Sequence, residues 1–253
     1  MPLLEIYDLR RSFYGVHALR GASLTVESGR ITGLIGPNGA GKTTLFNCVS
    51  GLIPPSSGRI VFDGRDITGE RPDRISRCGL VRTFQIARGI PRLSVLDNLL
   101  LYGREQPGER VIAALLRAPG TRRREEELVE RALAIAARLN LARVLPERAA
   151  NLSGGQKKLL EIGRALMASP KLILLDEPVA GVNPTLAREI GAHLRVLVDE
   201  GVSLLLIEHQ MDMISRLCDH VVVMAEGRRL VEGTFAELAR NEAVQEAYMG
   251  RRH

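Results

Sequence analysis

Apolar and polar positions alternate weakly through the first thirty residues. Leu4-Glu5-Ile6-Tyr7-Asp8-Leu9 and Ala22-Ser23-Leu24-Thr25-Val26 read as exposed antiparallel strands. Ile31-Thr32-Gly33-Leu34-Ile35 is more uniformly apolar, the pattern of a buried strand, and it runs straight into a glycine-rich loop. Lys42 to Ser50 reads as a helix, and Gly51 to Gly58, with Pro54-Pro55-Ser56-Ser57, as a turn. Arg59–Phe62 and Leu80–Phe84 are further strand candidates. The pattern then changes. From Ser94 to Leu141 it is mainly helical, with Leu128, Ala132, Ala136 and Leu139 near one face. After this stretch come strand 172–176, helix 184–200, strand 203–208, helix 210–218 and strands 220–224 and 228–231. Strands alternating with helices predict a largely parallel sheet. The helical stretch reads as a subdomain inserted into that α/β core, which spans 1–85 and 151–253, with the insertion at 86–150.

Length and composition narrow the class. The chain has 253 residues, 45% hydrophobic and 25% charged, enough for a sizeable core and unlike a disordered or fibrous sequence. No apolar run approaches the roughly 20 residues of a membrane-spanning helix. No basic segment followed by an apolar stretch opens the chain, so export is not expected. Cys48, Cys78 and Cys218 are odd in number and widely spaced, which excludes a disulfide framework and a close-spaced zinc motif. The net charge of +6 admits nucleic acid, an anionic membrane surface or an acidic ligand. Its densest part lies between Arg71 and Arg92, where Arg71, Arg74, Arg77, Arg82, Arg88 and Arg92 face one acid, Asp73. Ordinary surface and a contact zone for a partner or an anionic leaflet both fit that cluster. Arg122–Arg124 are answered by Glu125–Glu127, as on a solvated helix face.

Three segments carry candidate chemistry. Gly36-Pro37-Asn38-Gly39-Ala40-Gly41-Lys42-Thr43 fits G-x-x-x-x-G-K-[ST] and lies between a strand and a helix, as its mechanism requires. The glycines let main-chain N–H groups turn around phosphate oxygens, and the following helix points its positive end at the same charge. Lys42 adds an ammonium near the terminal phosphates, and Thr43 a hydroxyl where Mg²⁺ would sit. Leu172–Asp176 is an apolar strand that ends in Asp176-Glu177, delivering carboxylates to the edge where open α/β sheets bind ligands. Asp176 suits a water-mediated Mg²⁺ contact. Glu177 faces elsewhere and suits either orienting or deprotonating an attacking water. Asn151-Leu152-Ser153-Gly154-Gly155-Gln156 precedes a helix expected over 157–168. Ser153 reads either as an N-cap or as part of an exposed helix start that approaches a phosphate.

Taken in order and spacing, these segments resemble the ATP-binding subunit of an ABC transporter, over nearly the whole chain. That resemblance implies a P-loop NTPase core with an N-terminal antiparallel β subdomain and an inserted helical subdomain, and it implies hydrolysis of ATP with Mg²⁺. Gly36, Pro37, Asn38, Gly39, Ala40, Gly41, Lys42, Thr43 and Thr44 would cradle the phosphates. Thr43, Asp176 and Gln85, within the glutamine loop Thr83-Phe84-Gln85, would serve the metal. Glu177 would act on water, supported by the switch histidine His209 in Ile207-Glu208-His209. Phe13 or the adjacent Tyr14 would stack on adenine. Ser153, Gly154, Gly155 and Gln156 would complete the ATP site of a second cassette, paired head to tail. Asn183 stands where many members have aspartate, a departure from the family pattern.

Finer features resemble the branched-chain amino acid importer subgroup: Arg82-Thr83-Phe84-Gln85, Leu96-Asp97-Asn98-Leu99, Glu177–Pro184, Ile207–Met211 and the ending Val244–Gly250. The resemblance implies a peripheral subunit at the cytoplasmic face of the membrane. Its partners would be transmembrane permease subunits, a second cassette (a copy or a related chain) and, indirectly, a substrate-binding protein; nucleic acid is not expected. Three readings compete. A lipopolysaccharide-export ATPase is a close relative, but the Gly103–Gly120 insertion argues against it. A soluble ABC protein of repair or translation would add coiled coils, metal clusters or a second ATPase. A small-molecule kinase would need an acceptor pocket that no residues suggest.

Overall fold

A computed structural model gives the architecture. The described residues are 1–83, 90–104 and 119–249. The chain divides into two compact units, 1–82 with 171–253, and 83–170.

The first unit holds two sheets. Strands β1 (Pro2–Phe13) and β2 (Val16–Glu27) pair antiparallel. The turn between them is Tyr14-Gly15, with φ of +47° and +86°. Positive φ at both positions is what a tight two-residue hairpin needs to match strand twist. With β4 (Ser57–Phe62) and β5 (Arg65–Asp66) these form a four-stranded sheet in the order β2-β1-β4-β5. Alternation is weak because one face is only partly covered: Leu4, Leu9 and Val26 are fully buried, while Tyr7 is exposed.

The second sheet has six strands in the order β10-β9-β3-β8-β7-β6. Strands β3 (Ile31–Ile35), β7 (Leu172–Asp176) and β8 (Ser203–Ile207) are buried along their whole length, which explains their unbroken apolar sequences. β6 (Leu80–Arg82), β7, β8, β3 and β9 (His220–Ala225) run parallel, and β10 (Arg228–Gly233) closes the edge antiparallel. The expected strand over Leu80–Phe84 ends at Arg82; Phe84 lies outside the described residues. Helices α1 (Lys42–Val49) and α2 (Pro72–Cys78) lie in the N-terminal half of this unit.

The second unit contains α3 (Val95–Leu100), α4 (Pro119–Arg138) and α5 (Gly154–Met167). Its core is the face read from sequence, with Ala132, Ala136 and Leu139 fully buried. A Cβ at Gly163 would come within 2.9 Å of Leu99 and 3.2 Å of Leu139, so the glycine lets α5 approach both. Buried Arg164 donates to Asn98 at 2.7 Å. Arg123 and Arg124 pair with Glu127, the solvated face expected. Two sequence boundaries shift. The inserted unit runs to Pro170 rather than 150, because α5 packs on Leu99, Ile135 and Leu139. Helix α5 also begins at Gly154 rather than Lys157, because Ser153 and Gln156 cap it.

The remaining helices belong to the first unit: α6 (Pro184–Asp199), α7 (Met211–Leu217), α8 (Phe235–Leu238) and α9 (Glu242–Met249). Among the described residues no helix is long and apolar enough to cross a membrane.

Candidate functional site

The parallel strands bring three chain segments to one edge. In the register, Leu34 of β3 and Asp176 of β7 both lie beside Ile207 of β8. The residues that follow these strands are Gly36, Glu177 and Glu208. Three stretches remote in sequence therefore leave the sheet side by side, at the carboxyl edge where such folds bind ligands.

The phosphate-loop candidate is tightly set. Gly36 has φ +148°, and a Cβ there would sit 2.1 Å from the carbonyl oxygen of Met224. Gly41 has φ +97°, and a Cβ there would sit 2.6 Å from the carbonyl oxygen of Ala18. No L-residue with a side chain fits either place without moving the backbone. Gly41 leads directly into α1, whose first turn has no side-chain cap. An uncapped helix start presents N–H groups and the positive end of the helix dipole. Pro37 is half-buried, Asn38 and Gly39 are exposed, and Ala40 is buried. Lys42 is buried and donates to the carbonyl oxygens of Gly36 (2.7 Å) and Pro37 (3.0 Å). Burial pushes its pKa down, and the charges of Glu177 and Asp176 push it back up. Thr43 is exposed and Thr44 half-buried.

Asp176 ends β7 in a buried ion pair. Arg82 of β6 donates to its Oδ2 at 3.0 Å, and both side chains are 7% exposed. The same guanidinium donates to Asn47 on α1 at 2.6 Å and lies over the Phe46 ring, 5.5 Å from its centroid. The arginine cluster read from sequence therefore has no single character. Arg82 is internal, Arg71 pairs with Asp73, and Arg74 pairs with Glu70, which lies just outside the segment. Arg88 lies outside the described residues.

Glu177 follows with φ +51°, a left-handed backbone uncommon for a glutamate. Its N–H donates to the Ile207 carbonyl at 3.0 Å. Its Oε1 is 3.3 Å from Nε2 of His209. Two residues that the sequence places more than thirty apart thus meet. Both are partly open to solvent, at 25% and 43%. Immediately before His209 lies Glu208, 2% exposed, which the sequence reading passed over. Its oxygens accept from the N–H groups of Val179 and His209, each at 3.1 Å. Burial raises its pKa, those hydrogen bonds oppose the rise, and the charge of Glu177 adds to it. A second residue missed is Tyr248 of α9: burial raises the pKa of its hydroxyl, and the main chain of Gly36 opposes the rise. No local signal in the sequence links that tyrosine to the loop.

The expected metal ligands suit magnesium. The Thr43 hydroxyl and the Asp176 carboxylate are hard oxygen donors, and magnesium takes one or two such protein groups with water and phosphate oxygens. Among the described residues no group of three or more His, Cys, Asp or Glu side chains could hold an ion. A metal shared with a nucleotide needs no such group. Gln85 lies outside the described residues.

The remaining candidates stand as follows. Phe13 ends β1, half-buried, with the Arg11 guanidinium over its ring at 4.7 Å, whereas Tyr14 is fully exposed in the turn. Asn183 caps α6, accepting from Leu186 N–H at 2.9 Å. In the second unit, Ser153 caps α5: it accepts from Gln156 N–H at 3.3 Å, and the Gln156 side chain accepts from Ser153 N–H at 3.0 Å. Ser153 and Gly154 are exposed and Gly155 is buried. Nothing lies within 4 Å of a Cβ placed on Gly154. Packing therefore does not require glycine at 154.

Residues 19–180 match the family model described as ABC transporter. The chain belongs to that family. Residues 228–253 match a second model, described as branched-chain amino acid ATP-binding cassette transporter. The cassette is 42% identical over 250 residues to a probable branched-chain amino acid transport ATP-binding protein, LivG, of Archaeoglobus fulgidus, covering 99% of this chain and 96% of the relative. It is 38% identical to BraF of Pseudomonas aeruginosa, a high-affinity branched-chain amino acid transport ATP-binding protein, with 98% of each chain covered. Among solved structures, the ADP conformation of an ATP-binding cassette of an ABC transporter superposes with TM-score 0.87 at 39% identity, covering 99% of this chain and 100% of that one. The expected fold, a P-loop ATPase core with an antiparallel β subdomain and a helical insertion, is the one found.

Proposed function

We propose that this chain is the ATP-hydrolysing subunit of an importer for branched-chain or other hydrophobic amino acids. It works at the cytoplasmic face of the membrane with permease subunits, a substrate-binding protein and a second cassette, either a copy or a relative. The contact that carries the hydrolytic reading is Glu177 beside His209, at the sheet edge that also bears Lys42 and Asp176. The carboxyl-terminal match and the full-length relatives support the importer reading.

The chemistry follows from the groups present. Main-chain N–H groups of residues 36–44, with the Lys42 ammonium, grip the β- and γ-phosphates. Phe13 or Tyr14 offers an aromatic face for adenine. Thr43, Asp176 and Gln85 would hold magnesium, which when bound neutralises phosphate charge. Glu177 accepts a proton from the attacking water, and His209 holds that carboxylate in place. The products are ADP and phosphate. Ser153, Gly154, Gly155 and Gln156 cap the γ-phosphate held by the opposite cassette, so ATP clasps the pair and hydrolysis releases it.

The test is Glu177→Gln in the full-length chain. ATP binding should persist, while turnover falls at least about 10²-fold, the scale of general-base loss. Lys42→Ala, measured alongside, should weaken nucleotide affinity itself. Wild-type turnover in the first variant would overturn the base assignment. Failure to co-purify with permease subunits would overturn the importer reading.

A further inference from the structure

Glu208 is nearly inaccessible, and the catalytic reading above gives it no task. It sits at the end of β8, flanked in the sheet by β3 and β7. One carboxylate oxygen accepts from Val179 N–H, in the segment that leaves Glu177. The other accepts from His209 N–H. The one side chain thus ties together the two chain segments that carry Glu177 and His209. A third tie is Glu177 N–H to the Ile207 carbonyl, the residue just before Glu208.

A buried carboxylate costs much more than a buried apolar group unless its oxygens are satisfied. Among the described residues the cost is offset by main-chain donors, and those donors belong to the loops of two reacting groups. No apolar residue could bind both loops. A glutamine could accept from one and would turn an NH₂ toward the other donor.

We propose that Glu208 is a positioning residue for hydrolysis: it clamps the segment after Glu177 to the switch-histidine loop and so sets the 3.3 Å approach of His209 to Glu177. The proposal rests on the roles given to Glu177 and His209 above. A displacement of about 1 Å at such a pair can cost on the order of 10²-fold in rate. Among the described residues the clamp's hydrogen bonds go to Val179 and His209 and not to residues 36–44, so ATP affinity should be spared.

The experiment measures ATPase kcat and KM, ATP affinity and thermal midpoint for full-length Glu208→Gln, Glu208→Asp, His209→Ala and the double variant Glu208→Gln/His209→Ala. Expected for Glu208→Gln is a fall in kcat of at least about 10-fold with ATP affinity unchanged, the signature of a group acting in the transition state only. Glu208→Asp keeps the charge but shortens the reach and should also be slow, which separates a clamp from a charge effect. The double variant should be no slower than His209→Ala alone, because the clamp acts through that histidine. Wild-type kcat in Glu208→Gln would overturn the proposal. So would a matching loss of ATP affinity, or independent, multiplied losses in the double variant. If His209→Ala keeps full turnover, the role of His209 itself fails. If His209→Ala is slow and Glu208→Gln is not, only the clamp fails.

Discussion

The two units of this cassette carry their reactive groups in opposite ways. In 1–82 with 171–253, the groups stand at the ends of parallel strands or on the loops and helix that follow them, and buried polar contacts hold them: Arg82 on Asp176, Lys42 on the loop carbonyls, Glu208 on two N–H groups. In 83–170, Ser153 and Gly154 stand exposed at the start of a helix, held by a local capping box. The first arrangement is costly to disturb, because each partner removed leaves a desolvated charge behind. The second is inexpensive to disturb, because water replaces what is lost. A group that must meet a small ligand in fixed geometry suits the former. A group that meets another molecule, and must later let go, suits the latter.

The sharpest way to break this contrast is Arg82→Ala. It leaves the Asp176 carboxylate buried without its guanidinium and should cost about 3–5 kcal/mol of stability, the usual penalty for opening a buried ion pair. Urea unfolding would read it. A loss near zero would mean that the pair does not hold this edge together.

Ser153→Ala should matter far less to the fold. Losing an N-cap costs about 1 kcal/mol. Nucleotide affinity of the isolated chain should be unchanged, while ATP-driven pairing of cassettes, followed by sedimentation, should be lost. If affinity of the isolated chain falls instead, Ser153 acts within its own chain and the contrast fails.

Asn183→Asp should change least. Aspartate and asparagine cap helices about equally, so the unfolding free energy, read from thermal melting, should change by well under about 0.5 kcal/mol. Any change in turnover would then come from the side chain's charge rather than from a weakened α6.

Much of this was legible in the sequence, for identifiable reasons. The phosphate loop was readable because its glycines answer to steric demands that only the main chain imposes: Gly36 and Gly41 each face a carbonyl oxygen where a Cβ would go. Strands β3, β7 and β8 were readable because burial on both faces leaves an unbroken apolar run. The start of α5 was misjudged because glycine is a poor helix former, yet Ser153 and Gln156 supply the cap that starts the helix there. The arginine cluster stayed open in the sequence because charge counted along a chain ignores which side chains turn inward: Arg82 does, whereas Arg71 and Arg74 do not.

The sequence by itself determined the alternation of strands and helices, the glycine-rich loop after β3 and the chemical types of the groups around it, because these depend on local sterics and on periodicity. The tertiary structure alone decided that Arg82 meets Asp176, that His209 meets Glu177 and that Glu208 joins their two loops. Those pairings arise from the order of parallel strands in the sheet. That order is fixed by how the helices cover both faces, and no neighbouring residue in the chain records it.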